Sequence, residues 1–180
     1  SEALTRGDTG YPHGTAYAEA FAAMAATRWA WELDTAALAR RAGDVMNSIL
    51  AVLEAWTDPG DAVVINPPVY PPFRQVVSGY RRRITEAPLA ASGRLDLTTL
   101  EAAFSGPDGP RAYLLCSPHN PTGVVHTAAE LAAVMELAAR YDVQVVVDEI
   151  HAPLVDPGTT FVPLLTVPGG ERAVSVTSSG

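Results

Sequence analysis

Ser117-Pro118-His119-Asn120-Pro121-Thr122-Gly123 and Val145-Val146-Val147-Asp148-Glu149-Ile150-His151 decide how this chain folds. Each stretch ends an apolar run in a cluster of polar residues. The run before the first is Ala-Tyr-Leu-Leu-Cys at 112–116, and the second begins at Val143. Neither run alternates polar with apolar, so a strand at either place must be covered on both faces. Parallel sheets flanked by helices have that property. Such sheets hold their ligands beyond the carboxyl ends of the strands, which is where both polar clusters fall.

Working outward, helical periodicity alternates with short apolar runs. Ala18, Phe21, Ala22, Ala25 and Trp29 recur at three- and four-residue steps, predicting a helix over 15–31. Asp34 is placed to cap a shorter helix over 35–41. A helix over 45–56 carries Ile49, Val52, Leu53 and Trp56 on one side, and Asp58-Pro59-Gly60-Asp61 stops it. Strands are predicted at 62–66, 82–86, 112–116, 143–147 and 173–177. Further helices are predicted over 71–79, over 96–104 with Leu97, Leu100 and Phe104 inward, and over 127–141 with Leu131, Val134, Met135 and Ala138 inward. The fold class is therefore α/β, a mostly parallel, mixed sheet flanked by helices.

Composition narrows the function. All twelve basic residues are arginine, against twenty acids, and the net charge of −8 leaves no positive excess for nucleic-acid phosphates. The cluster Arg81-Arg82-Arg83 reads as a solvated strand start. The single cysteine, Cys116, precludes an internal disulfide, fits a reducing, cytoplasmic setting, and reads as a small buried hydrophobe. No 18-residue apolar window predicts a membrane span. His13, His119, His126 and His151 lack paired metal-ligand spacing.

The ordered motifs Gly10-Tyr11-Pro12, Asp58-Pro59-Gly60-Asp61, Pro68-Val69-Tyr70-Pro71-Pro72-Phe73, Leu115-Cys116-Ser117-Pro118-His119-Asn120-Pro121-Thr122-Gly123 and Val147-Asp148-Glu149-Ile150-His151 resemble those of fold type I pyridoxal-phosphate (PLP) enzymes. Within the class I/II aminotransferase superfamily, they resemble most the MalY/PatB branch of carbon–sulfur β-lyases of the cystathionine β-lyase type. The resemblance spans nearly the whole chain but about the first half of such an enzyme. It implies the PLP-dependent transferase fold, with 1–14 an N-terminal segment and loop and 15–180 an incomplete PLP-binding large domain. The C-terminal small domain is expected outside this chain.

The resemblance also implies roles, and each is a sensible match of side chain to cofactor. Asp148 would face the ring nitrogen, where a carboxylate favours the protonated ring. Asn120 and His151 would donate to the phenolic oxygen, and Tyr70 would stack on the ring face. The phosphate would fall to the amides of Val45 and Met46 at a helix start, with Asp44 as an N-cap pointing away, and to Ser178. Tyr11 would reach the phosphate of a neighbouring subunit, which implies a homodimer with a shared site. Pro118 and Pro121 are candidates for cis peptide bonds.

The chain has no lysine, although this chemistry needs one for its Schiff base. The resemblance puts that lysine immediately after Gly180. The chain is thus expected to be a segment of an active parent protein and to be inactive by itself. The parent is expected to be a β-lyase acting on a thioether amino acid. Alternatives are a class I/II aminotransferase and a non-catalytic interaction module that keeps the fold.

Overall fold

The computed structural model describes residues 16–38, 44–107 and 109–178. The chain divides into two compact units, 1–40 and 41–180. The first contains helix α1, Ala16–Trp29, shorter than the periodicity predicts. Ala30 takes a left-handed φ of 51° and Trp31 N–H turns back to Ala25 O, which ends the helix before Trp31. Phe21 meets Trp29 and Trp31 edge-on, with ring centroids 6.1 and 6.5 Å away. Asp34 caps as predicted, accepting from Ala36 N–H, but the element is a single 3-10 turn, Thr35–Ala37.

The second unit carries a five-stranded sheet in the order β2-β1-β3-β4-β5. The strands are β1 Ala62–Ile65, β2 Arg83–Glu86, β3 Ala112–Cys116, β4 Gln144–Asp148 and β5 Val174–Val176. Every pairing among them is parallel. The helices are α2 Val45–Trp56, α3 Pro71–Ser78, α4 Leu97–Phe104 and α5 Ala128–Arg140.

Strand residues of opposite parity enter two separate cores. Val63, Ile65, Ala112, Leu114, Cys116, Val146 and Val176 pack with residues of α2 and α3. Val64, Tyr113, Leu115, Val145 and Val147 pack with residues of α4 and α5. The uniformly apolar strands are thus covered on both faces, and the domain has three layers, α/β/α.

Local chemistry explains the helix boundaries. Thr127 and Glu130 form a complete capping box at the start of α5, and Asp96 Oδ1 accepts from Thr98 and Thr99 N–H at the start of α4. Leu97 departs from expectation. It lies in the first turn of α4 and is 36% exposed, while Leu100, Ala103 and Phe104 face the core. Arg82 is less solvated than its cluster suggests, since its guanidinium donates to Thr57 O and Oγ1.

Candidate functional site

Parallel register puts the carboxyl ends of the three strands β3, β4 and β5 side by side, with Cys116 opposite Asp148 and Asp148 opposite Val176. Asp148 shares its face with Val146, on the side covered by α2. It is 4% exposed, and burial raises its carboxyl pKa above the usual carboxylate range. Among the described residues, its only side-chain hydrogen bond is from Ile150 N–H to Oδ1, 3.0 Å. His151 lies near enough to favour the charged form by its field. A buried carboxylate with one amide donor is short of positive charge.

The Asn120 turn is built onto the same edge. Asp148 O accepts from Ser117 N–H at 2.9 Å, Cys116 Sγ accepts from Asn120 N–H at 3.4 Å, and Asn120 O accepts from Tyr70 N–H at 3.2 Å. These bonds fix the backbone at Asn120 and leave its side-chain amide with no hydrogen bond among the described residues. Peptide bonds 117–118 and 120–121 are both cis, as is 67–68 in the segment leading to Tyr70. Cys116 is buried as expected, and burial pushes its thiol up to about 12, so it is no nucleophile at neutral pH. It serves as a sulfur acceptor that shapes the turn.

Tyr70 is 36% exposed at the start of α3, with its ring edge-on to the buried Phe73, centroids 6.1 Å apart. Behind it, Asn66 is buried. Its Nδ2 donates to Ala87 O at 2.9 Å, and its Oδ1 accepts from Tyr113 Oη at 2.5 Å. The polar side chain thus ties the Tyr70 segment to β3.

A cavity of about 580 Å³ opens beside these strand ends, and Asn120, His151, Arg94 and Asp156 are among the residues lining it. Arg94 donates through Nε to Glu130 Oε1 at 2.6 Å and through Nη2 to Glu130 Oε2 and Val125 O. That pair and the Thr127 donors hold the Glu130 carboxyl down to about 2. A carboxyl depressed in the fold stabilises it fully above its unfolded value of 4.5, and the contribution is lost as pH falls through about 2. Glu130→Gln should therefore lower the urea midpoint at pH 6, and the gap from wild type should close on acidification through that window. A gap independent of pH would assign the pair no electrostatic role. His119 and His126 are buried behind the turn, and burial lowers both pKa values, that of His126 to about 4, so both rings are neutral at pH 7.

The start of α2 lies at the same edge of the sheet. Residues 57–61 lead directly from Trp56 into Ala62, so the end of α2 sits at the amino edge of the sheet and its beginning at the carboxyl edge. Asp44 caps it through Oδ1, accepting from Asn47 N–H at 2.9 Å. Val45 and Met46, in the first turn, have amides that no i−4 carbonyl of the helix can satisfy. The Val45 side chain joins the core with Cys116 and Val176. Ser178 is half-buried, two residues past the end of β5, and forms no hydrogen bond among the described residues. Tyr11 lies outside the described residues.

The structure therefore joins Tyr70, Asn120 and Asp148 through backbone and sulfur bonds, and sets Asn120 and His151 on one cavity. Ser178 and the first turn of α2 lie on the same edge without a described bond to those residues. A buried carboxylate with one amide donor at Asp148, a side-chain amide at Asn120 without a described bond, an exposed ring at Tyr70 and a helix start with open amides fit a cofactor bearing a basic ring nitrogen, a phenolic oxygen and a phosphate. Sequence reading gave no role to Glu149, which is 4% exposed. Its Oε1 accepts from Leu164 N–H at 2.8 Å and its Oε2 from Ser175 Oγ at 2.6 Å, while burial pushes the carboxyl up to about 7. Its place directly after Asp148 was the only available signal. Among the described residues, no group of three or more His, Cys, Asp or Glu is placed to hold a metal ion, and no helix is long and apolar enough to cross a membrane.

Fold and site together define a three-layer α/β domain with a buried carboxylate and an open cavity at the carboxyl edge of its sheet. Residues 9–180 match the family model "Aminotransferase class I and II", and the chain belongs to this family. It is 52% identical over 98% of its length to a Mycobacterium leprae protein provisionally named as a cystathionine beta-lyase, of which it covers 46%. It is 33% identical over 83% of its length to the cystathionine beta-lyase PatB of Bacillus subtilis, covering 39% of that protein. The crystal structure of cystalysin from Treponema denticola, which contains a pyridoxal 5'-phosphate cofactor, superposes with a TM-score of 0.88 at 28% identity. The match takes in 98% of this chain and 46% of cystalysin. The chain thus spans about half the length of the relatives it matches.

Proposed function

We propose that the full-length protein carrying this chain is a PLP-dependent carbon–sulfur β-lyase of the cystathionine β-lyase type, which releases a thiol, pyruvate and ammonia from a thioether amino acid. The observation that carries this reading is Asp148, a buried carboxylate at the carboxyl edge of a parallel sheet, held beside the Asn120 turn and short of a cationic partner. The likeness to proteins named as cystathionine beta-lyases supports the reaction.

In this reading Asp148 holds a proton at the ring nitrogen, and Asn120 and His151 donate to the phenolic oxygen. Tyr70 covers the ring face. The amides of Val45 and Met46 and the hydroxyl of Ser178 hold the phosphate, and Tyr11 reaches the phosphate of a second subunit in a homodimer. When bound, PLP supplies an electron sink for negative charge at the substrate's alpha carbon. The protonated ring is the better sink, so the part of Asp148 is electrostatic. Residues 15–180 form the large, cofactor-binding domain, 1–14 precede it, and the Schiff-base lysine and small domain lie beyond Gly180. The setting is cytoplasmic.

The family also contains aminotransferases, and one experiment separates the two activities. Incubated with cystathionine and PLP, the full-length protein should form pyruvate without any added keto acid. Amine transfer that depends on a keto acid, with no pyruvate formed, would assign it as an aminotransferase instead.

A further inference from the structure

Glu149 has no assigned role, yet it makes four hydrogen bonds at the junction of the site's strands. Its N–H donates to Val176 O at 2.9 Å and its carbonyl accepts from Ala152 N–H at 3.0 Å. Its carboxylate, as described, takes the Leu164 amide on one oxygen and the Ser175 hydroxyl on the other. Asp148, the residue before it, is bonded toward β3, through Ser117 N–H. Two adjacent acids therefore face opposite sides of the sheet. One is tied to the strand that leads to Asn120, the other to the strand that leads to Ser178.

We infer that Glu149 is a positioning residue that sets the end of β5, and so delivers Ser178 to the phosphate of the cofactor. The geometry supports this at three points. β5 has only three residues, so its ladder with β4 supplies few hydrogen bonds of its own. Ser175, the residue Glu149 grips, is the middle residue of that strand and lies three positions before Ser178. The second oxygen anchors the clamp on Leu164, a fully buried residue in the turn Leu164–Thr166, so the carboxylate rests on a rigid base. A buried carboxylate is costly unless its oxygens are satisfied, and here both are. This inference rests on the PLP reading above and adds to it the residue that places the phosphate ligand.

The test uses the full-length protein and three variants, Glu149→Ala, Glu149→Gln and Ser178→Ala. The readouts are the PLP dissociation constant, the dissociation constant of pyridoxal without its phosphate, and amide hydrogen exchange across β5, at 174–176, in the cofactor-free protein. Glu149→Ala should weaken PLP binding about tenfold, the scale of losing two buried hydrogen bonds, and leave pyridoxal binding unchanged. Exchange at 174–176 should rise by a similar factor. Glu149→Gln, which can still accept from Leu164 and donate to the Ser175 hydroxyl, should stay near wild type. Combining Glu149→Ala with Ser178→Ala should cost no more than the larger single loss, because one acts through the other.

If Glu149→Ala fails to fold, Ser175→Ala removes one side of the clamp and should show the same phosphate-selective loss at smaller size. PLP affinity unchanged in a folded Glu149→Ala protein, equal losses for PLP and pyridoxal, or losses that multiply with Ser178→Ala would each overturn the inference while leaving the PLP reading intact. Failure of the wild-type protein to bind PLP would overturn both.

Discussion

Asp148→Asn should lower turnover of the full-length protein by about 10²–10³-fold, the loss typical of removing one preorganised electrostatic group from a dry site. The amide is nearly the same size and can still accept from Ile150 N–H, so the fold should survive. Only the charge is removed. The same substitution should act oppositely on stability in the cofactor-free protein. Burial raises the Asp148 pKa above its ordinary 3.8, so ionising it opposes folding. The neutral variant should therefore gain stability relative to wild type as pH rises above 3.8, measured as the difference in urea midpoints. A loss of activity with no loss of stability would mark a group kept for its charge. Pyruvate release at the wild-type rate would remove Asp148 from the chemistry.

Phe73→Ala should destabilise the domain by about 3–5 kcal/mol, a large share of the roughly 5–15 kcal/mol that keeps a domain folded. The ring has no exposure and packs in the core between α2, α3 and the sheet. Its removal leaves a cavity that the fully apolar strands cannot collapse to fill. The effect should reach the site as well, because the Phe73 ring supports the Tyr70 ring edge-on. Phe73→Leu, which keeps most of the volume, should cost far less. Denaturant unfolding would check both variants, and a loss below about 1 kcal/mol for Phe73→Ala would contradict the core assignment.

Much of this architecture can be read one segment at a time. The helix Val45–Trp56 has the boundaries its periodicity predicts, because Asp44 and the Asp-Pro-Gly-Asp turn are local signals. Strand β4 is displaced by one residue, ending on Asp148 rather than Val147, because Asp148 pairs with Cys116 and Val176 as part of the ladder. Leu97 was misplaced because periodicity cannot tell the first turn of a short helix, which overhangs the core, from its middle. Glu149 was missed for a related reason. An acid leaving a strand usually meets water, and nothing nearby in sequence announces Leu164 or Ser175 as its partners.

Sequence by itself determined the class of fold, the parallel sheet and the edge of it where chemistry would gather. Those follow from burial patterns and turn residues acting over a few positions. Tertiary structure alone decided which groups are joined there. The sulfur of Cys116 took up the Asn120 amide, Arg94 found Glu130 thirty-six residues on, and the carboxylate of Glu149 became a clamp on β5. The bonds of Cys116 and Glu149 depend on strand register and on low-dielectric burial, which make a polar partner worth more than water. The partly exposed Arg94–Glu130 pair depends instead on the packing that brings a loop to the start of α5.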